Sequence, residues 1–310
     1  MEQMTFPELI EKLTVLYREE NHAEALKMVE QQAPHFPERS ARTTFWRMCL
    51  LSLCNRPEDV LAVFQQGLDS GLWWAEELFA DPDLKAVQAL PRFKRLVEFS
   101  IEKHAEAQKH IDPDQTILEP EPPLSGAYPL LIALHGHNGN KDINVEYWDV
   151  ARQRGWLVLS AQSTQVVFPD AYHWDDPAHG LSDLRTYYEQ ISKKFQIDPQ
   201  RTIIAGFSQG SGMAIYAAVK GFLPVRGFIG IGTWWADANE LAAEREDIRG
   251  YFITGEKDHT LERAREIQDV LRKNNIRFGE EIHADLGHEF PADFGTSFDK
   301  AINFIFTEQE

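Results

Sequence analysis

From Tyr128 onward, short apolar runs alternate with segments of helical periodicity, and this alternation restricts the possible folds most strongly. The runs are four to eight residues long, which suits strands better than buried helices. Uninterrupted apolar strands separated by helices are typical of a mostly parallel sheet that is covered on both faces. We therefore predict an α/β domain over residues 128–310. Ligands bind such sheets outside the carboxyl ends of the strands.

The predicted strands and helices of this domain follow one another along the chain. The strands are expected at 129–134, 156–161, 202–205, 227–231, 250–254 and 277–284. The helices are expected at 142–154, 181–195, 209–220, 239–246, 261–274 and 292–307.

Residues 1–110 have a different pattern, with apolar side chains at the three- and four-residue spacing of helices and no strand-like alternation. Helices are predicted at 6–17, around 25–29, at 40–53, from Pro57 and at 91–107. Both an array of helical hairpins resembling tetratricopeptide units and a plain helical bundle fit this pattern. Helical domains of either kind commonly bind a protein partner or self-associate.

The segment 111–127 separates the two patterns. It contains Glu119-Pro-Glu-Pro-Pro123, which favours a stiff, extended linker, with a short edge strand around 115–118 before it. The predicted domains are therefore 1–110, a Pro-rich linker over 111–127, and 128–310.

The net charge of −18 argues against nucleic acids and anionic membranes as partners, because both would be repelled. Cys49 and Cys54 would lie roughly 140° apart on a helix, so we expect no disulfide between them. No apolar stretch approaches the roughly 18 residues of a membrane span, and the acidic amino terminus does not resemble a secretory signal. We expect a cytoplasmic protein.

The most informative motif is Gly206-Phe-Ser-Gln-Gly210, which follows the predicted strand 202–205 and precedes the predicted helix 209–220. A serine on a sharp strand-to-helix turn has an exposed hydroxyl, and small residues at either end allow the turn to close. A serine hydroxyl needs a base to act as a nucleophile, and the base needs a group that orients it. Ser208 is therefore the predicted nucleophile.

Two later residues complete a catalytic triad. Asp258 follows the strand 250–254 and a glycine turn, and His288 follows the strand 277–284. The order serine, aspartate, histidine is the one expected when such a turn is assembled on an α/β sheet. We predict that His288 is the base and that Asp258 orients it, although Asp237, Asp285 and Asp293 also lie in loops.

Backbone amides are the expected oxyanion donors. The loop Leu134-His-Gly-His-Asn-Gly139 follows a strand, and Gly136 permits the close approach that directs the His137 amide into the site. The Gln209 amide directly follows the nucleophile at a helix start, where the helix dipole favours negative charge.

These four motifs, at 134–139, 206–210, 254–258 and 287–291, resemble those of α/β-hydrolases, and among them the carboxylesterase, phospholipase and acyl-thioesterase group. The resemblance covers residues 129–306. It implies an α/β-hydrolase sheet and a serine hydrolase without a cofactor that acts on small carboxylic esters or thioesters. It says nothing about the helical amino-terminal domain.

The resemblance also places Tyr172-His-Trp-Asp-Asp-Pro177 near the acyl pocket, so Trp174 and Asp175 are candidate pocket residues; an alternative is a helix start capped by Asp176. Trp234 follows a strand and is a third candidate. His135 and His137 form a possible metal pair, but no third ligand stands nearby in sequence, so we expect no metal. The expected role of His135 is a structural hydrogen bond.

Serine ester hydrolysis is the leading functional hypothesis. The same triad also cleaves amides, and Asp175 and Asp176 are candidates for an acidic pocket that binds a peptide amino terminus. A third hypothesis is a protein that binds a partner through its helical domain and keeps only a secondary hydrolase activity.

Overall fold

The structure, a computed structural model, describes residues 4–143, 145–245 and 247–307. The chain divides into two units. One comprises the residues up to Ile111 together with Val166–Ala171, and the other comprises Asp112–Gln165 and the residues from Tyr172 onward. The predicted domain boundaries stay a prediction, and they did not anticipate that residues 166–171 group with the helical unit.

The described residues of the helical unit form five α-helices, all of which the periodicity predicted. They are α1 (Phe6–Arg18), α2 (His22–Gln32), α3 (Ser40–Leu53), α4 (Pro57–Asp69) and α5 (Pro91–Gln108). Short 3₁₀ helices form at Ala33–His35, Pro37–Arg39, Glu76–Ala80 and Pro82–Leu84. Thr5 and Glu8 form a capping box at the start of α1, and proline occupies the first turn of α4 and α5, where its missing N–H costs nothing.

The core of this unit centres on Trp74, which is fully buried. Its indole N–H donates to the Ala41 carbonyl at 3.1 Å, and the Ser100 hydroxyl bonds both its backbone N–H and its carbonyl. The backbone N–H of Ala75 donates to the Val167 carbonyl at 2.7 Å, which ties residues 166–171 into the unit. Consecutive helices pack against each other, as both a hairpin array and a bundle require.

The second unit is built on a seven-stranded sheet, as the α/β pattern predicted. Its strands are β1 (Gln115–Leu118), β2 (Tyr128–Leu134), β3 (Leu157–Ala161), β6 (Ile197–Phe207), β7 (Gly227–Ile231), β8 (Arg249–Gly255) and β9 (Arg277–His283), in the order β1-β3-β2-β6-β7-β8-β9. The strand β1 runs antiparallel to β3, and the other described pairs are parallel. Two short strands that the sequence did not predict also form, β4 (Gln165–Phe168) and β5 (Ala171–His173).

In the part of this unit that the structure describes, five helices cover the sheet. They are α6 (Val145–Gln153), α7 (Pro177–Lys194), α8 (Gln209–Val219), α9 (Leu261–Lys273) and α10 (Phe294–Phe306). Alternate residues of β2 face two separate cores: Leu130 and Ile132 lie with residues of α7, α8 and α9, whereas Leu131 and Ala133 lie with residues of α6 and α10. Both faces of the sheet are therefore buried, as uninterrupted apolar strands require.

The helix predicted at 239–246 is wrong. Only a short 3₁₀ helix, Ala238–Leu241, forms there, and Ala242 leaves it in an extended conformation. The Glu244 backbone N–H donates to the Val219 carbonyl at 2.9 Å instead of bonding within a helix. A tertiary hydrogen bond therefore overrides local periodicity in this segment; Glu246 lies outside the described residues.

The helix α7 begins at Pro177, earlier than predicted. The Asp176 carboxylate accepts hydrogen bonds from the Ala178 and His179 amides, which confirms the helix-start interpretation of this aspartate. None of the described helices is long and apolar enough to cross a membrane. Cys49 and Cys54 are both free thiols in the structure.

Candidate active site

The carboxyl ends of five neighbouring strands meet at one edge of the sheet. Leu134 of β2 lies opposite Gly206 of β6, and Phe207 lies opposite Ile231 of β7. Gly255 of β8 lies opposite His283 of β9. The loops that carry the four motifs therefore leave the sheet side by side.

Ser208 forms the turn between β6 and α8. Its backbone has φ 55° and ψ −123°, a region that a residue with a side chain rarely adopts and that costs of order 1–3 kcal/mol. The Ser208 N–H donates to the Ile231 carbonyl at 2.8 Å, which anchors the turn to the neighbouring strand. The strained turn and its anchor are those of a nucleophile elbow.

The glycines of the motif are required by close backbone contacts. A Cβ on Gly206 would lie 2.3 Å from the Gly210 carbonyl, so the turn closes only with hydrogen at this position. A Cβ on Gly210 would lie 2.2 Å from the His135 carbonyl oxygen. The second glycine therefore allows the loop that follows β2 to lie directly against the elbow.

The structure brings the three predicted triad residues together. His288 Nε2 lies 2.9 Å from Ser208 Oγ, and His288 Nδ1 lies 2.9 and 3.0 Å from the two carboxylate oxygens of Asp258. Asp258 Oδ1 also accepts hydrogen bonds from the Thr260 amide and hydroxyl, each at 2.8 Å. The imidazole thus bridges the hydroxyl and a carboxylate that is fixed by its own loop.

Asp258 stays ionised in this setting. Burial on its own would raise the pKa of the carboxyl, but hydrogen bonds from His288 and Thr260 outweigh burial and hold the pKa below its ordinary value. A carboxylate only accepts hydrogen bonds, so Nδ1 of His288 carries the hydrogen and Nε2 is left to accept one.

The three competing aspartates are engaged elsewhere. Asp237 and Asp293 cap the helices that follow them, and the exposed Asp285 pairs with Lys257.

The two predicted oxyanion donors flank the nucleophile. Gln209 is the first residue of α8, where a backbone N–H has no partner within the helix. His137 follows Gly136, and a Cβ on Gly136 would lie 3.3 Å from Ser208 Cβ. The loop that carries the His137 amide therefore lies against the serine.

His135 has the structural role expected of it. The fully buried ring donates from Nδ1 to the Gly136 carbonyl at 2.8 Å and accepts the Ser163 N–H at Nε2, at 3.1 Å. Burial lowers its pKa to about 4, which keeps the ring neutral. Both nitrogens are occupied, so His135 offers no atom to a metal ion.

Trp174 has a different place from the one predicted. Its side chain has no exposed surface, and its indole N–H donates to the His135 carbonyl at 3.0 Å. Its backbone N–H donates to the Gln209 side chain, also at 3.0 Å. We therefore assign Trp174 to the support of the loop after β2 rather than to a substrate wall.

Asp175 lies beside the elbow and is exposed. Its carboxylate accepts a hydrogen bond from the Gln209 side-chain amide, and its other oxygen lies 2.6 Å from His173 Nδ1. The adjacent imidazole holds the pKa of Asp175 below its ordinary value. Donor atoms of His137, His173 and Asp175 all lie within 4.8 Å of one another.

Trp234 is tied to the nucleophile through its backbone. Its N–H donates to the Ser208 carbonyl at 3.2 Å, while its side chain is 36% exposed. A partly exposed residue whose backbone bonds the serine is compatible with the predicted pocket wall.

The sequence did not identify an aromatic stack next to the catalytic histidine. The Phe207 ring lies 4.7 Å from the His288 ring and stacks on Phe290 at 5.2 Å, and Tyr147 stacks on the far side of Phe290 at 4.2 Å. Phe207 and Phe290 belong to the quoted motifs, but Tyr147 lies on α6 and no local pattern connects it to the site.

Comparison with known proteins agrees with this geometry. Residues 179–308 match the phospholipase/carboxylesterase family model, and residues 5–108 match a model described as an A/B hydrolase-like, N-terminal domain. No curated protein gave a match. The resemblance inferred from the motifs is confirmed: the chain has an α/β-hydrolase-like fold preceded by a helical amino-terminal region.

Solved structures share the fold. A Bacillus cereus protein described as uncharacterized is 25% identical, with 98% of this chain and 99% of that one covered and a TM-score of 0.54. A Bacillus cereus carboxylesterase is 13% identical (66% and 99% covered, TM-score 0.52), and a ferulic acid esterase is 16% identical (62% and 91% covered, TM-score 0.51). At these last two identities the likeness shows the fold alone.

Proposed function

We propose that this protein is a serine hydrolase that cleaves carboxylic esters or thioesters through an acyl-enzyme on Ser208. The observation that carries the proposal is the continuous contact from Ser208 Oγ through His288 to the ionised Asp258. A serine hydroxyl bonded to an oriented imidazole is the arrangement that makes serine nucleophilic. The phospholipase/carboxylesterase match supports an ester or thioester as the substrate.

In the first half of the reaction, Ser208 Oγ attacks the acyl carbon while His288 Nε2 takes the hydroxyl proton. The carbonyl oxygen becomes negatively charged, and the backbone N–H groups of His137 and Gln209 donate to it. Each such donor is worth about 3–4 kcal/mol in the transition state. Asp258 stabilises the imidazolium that forms.

His288 then gives its proton to the leaving alcohol or thiol, and the acyl group remains on Ser208. In the second half, neutral His288 takes a proton from water while the water oxygen attacks the acyl carbon, and it returns that proton to Ser208 Oγ as the acid is released. The imidazole therefore acts in turn as base and acid from one position.

The amide-hydrolase alternative loses its main support. It depended on Asp175 and Asp176 as an acidic pocket for a peptide amino terminus. Asp176 caps α7, and Asp175 is engaged by His173 and Gln209. Neither carboxylate is reserved for a substrate amine.

The direct test is hydrolysis of p-nitrophenyl acetate and butyrate by the wild type and Ser208→Ala. We expect the variant to lose about 10⁴-fold or more in kcat, because the covalent route disappears. Ser125→Ala, a change at an exposed serine of the same unit, is the matched control and should keep wild-type rates. Wild-type rates in Ser208→Ala would refute the proposed function.

A further inference from the structure

Three metal-ligating side chains converge outside the triad. His137 comes from the loop after β2, whereas His173 and Asp175 come from the end of β5 and the loop that follows it. One donor atom from each residue lies within 4.8 Å of the other two. His137 and Asp175 are exposed and His173 is half-buried, so an ion can reach them from solvent.

Two imidazoles and a carboxylate are a ligand set that zinc uses in open, four-coordinate sites, in which water takes the fourth position. Bonds of about 2.0–2.1 Å in a tetrahedron place the donor atoms roughly 3.3 Å apart. The present spacing, at most 4.8 Å, therefore needs a closure of up to about 1.5 Å to reach such a tetrahedron. The carboxylate of Asp175 lies 2.6 Å from His173 Nδ1, so these two donor atoms must move apart by about 0.7 Å to coordinate one ion.

We propose that His137, His173 and Asp175 bind one divalent ion of the zinc class, and that the bound ion inhibits the hydrolase. Inhibition is expected because two of the metal-binding residues are connected to the proposed oxyanion donors. The backbone N–H of His137 is a proposed oxyanion donor, and Asp175 bonds the side chain of Gln209, whose backbone N–H is the other. An ion that draws His137 and Asp175 together therefore displaces the oxyanion donors. This second part rests on the proposed function.

Two other groups in the described chain have donor atoms equally close, and both are poorer sites. In the group Asp258, His259 and His288, both ring nitrogens of His288 are occupied, by Ser208 and Asp258, and Asp258 accepts two further hydrogen bonds from Thr260. In the group Cys49, Asp81 and Asp83, burial raises the pKa of the Cys49 thiol far above its ordinary value, and the thiolate is the form that binds metals.

The test is calorimetric titration of the full, untagged chain with zinc chloride. We expect one ion per chain for the wild type and at least tenfold weaker binding for His137→Gln and Asp175→Asn. His259→Gln and Cys49→Ser are the matched controls, one for each competing group, and should bind zinc as the wild type does. Magnesium and calcium, which prefer all-oxygen sites, should not bind.

No zinc binding by the wild type would overturn the proposal, and so would undiminished binding in both His137→Gln and Asp175→Asn. Loss of binding in a control variant instead would place the ion in the other group and would also overturn it. Both substituted side chains are exposed, so thermal melting should show that the variants stay folded.

The inhibitory part has a separate readout. Zinc should slow p-nitrophenyl butyrate hydrolysis by the wild type, and at least tenfold more zinc should be needed for the same inhibition of Asp175→Asn. If zinc binds at this site and hydrolysis is unchanged, the inhibitory part is wrong. If the metal-free protein hydrolyses no ester, the proposed function fails while the calorimetric result still decides the metal site.

Discussion

The nucleophile elbow and the loop from His173 to Asp175 bond each other beside the same serine, yet different kinds of contact hold them. The elbow is defined by its backbone: Gly206 and Gly210 lie where any Cβ would overlap main-chain atoms. The 173–175 loop is held by side chains, since Gln209 accepts the Trp174 N–H and donates to Asp175. In the elbow, the backbone contacts restrict which residue type can stand at each position. In the 173–175 loop, the side-chain contacts restrict only which residues can pair, and those residues are distant in sequence.

This difference predicts that substitutions in the elbow act on folding and chemistry together. Substitutions that remove side-chain contacts to the 173–175 loop should have smaller effects, and those at an exposed side chain near the site should have the smallest. The three substitutions below test that ranking.

The largest effect is expected for Gly210→Ala. Its Cβ would lie 2.2 Å from the His135 oxygen and 2.8 Å from the Leu134 oxygen, so the loop after β2 must move. We expect a loss of about 3 kcal/mol in the free energy of unfolding. Since a misplacement of about 1 Å costs about 10²-fold in rate, ester hydrolysis should fall by at least that factor. Denaturant unfolding and p-nitrophenyl acetate assays measure both quantities.

Gly126→Ala is the control for that change, because no heavy atom lies within 4 Å of its added Cβ. Its stability should stay within about 0.5 kcal/mol of the wild type. If Gly210→Ala behaves like this control, the backbone contact does not define the elbow.

An intermediate effect is expected for Gln209→Ala. The side chain is buried, and its removal leaves the Trp174 N–H without an acceptor, at a cost of about 1–3 kcal/mol. Hydrolysis should fall about tenfold as the loop shifts, which corresponds to about 1.4 kcal/mol of transition-state energy. Gln153→Ala is the control, because Gln153 is an exposed glutamine of α6; equal effects in both would show that the Gln209 network does not hold the loop.

The smallest effect is expected for Trp234→Ala. Trp234 is bonded to Ser208 through its backbone and is 36% exposed, and we expect removal of its side chain to widen the site, so that longer acyl chains gain relative to acetate. We expect the kcat/KM for the octanoate ester divided by that for the acetate ester to rise about tenfold in the variant. A change of this size is typical of gaining or losing one methylene contact in a pocket. Leu124→Ala, at another exposed apolar residue in the 111–127 segment, should leave the ratio unchanged; an unchanged ratio in Trp234→Ala would remove this residue from the pocket.

Most of the fold could be predicted because local patterns agree with tertiary structure. The strand β7 and the helix α3 have the bounds that apolar runs and helical spacing indicated, and β1 lies where an edge strand was expected. The exception at 239–246 has a definite cause, the hydrogen bond from Glu244 to Val219. The strands β4 and β5 are too short for a pattern.

The site divides in the same way. Ser208, Asp258 and His288 follow strands and stand in motifs, so the sequence could indicate them, and their catalytic roles stay a prediction. The contacts from Gln209 to Trp174 and Asp175 span 35 and 34 residues, and no single-sequence pattern records them. His173 stands in no catalytic motif, and only the tertiary structure shows that it lies close to His137 and Asp175.

The central claim is that the elbow presents an activated serine, and covalent labelling with a fluorophosphonate tests it most directly. Intact-mass measurement should show one adduct per chain, and peptide mapping should place it on Ser208. The adduct should be absent from Ser208→Ala and form far more slowly in His288→Ala, because the base activates the hydroxyl. An adduct on another residue, or one that persists in Ser208→Ala, would contradict the account.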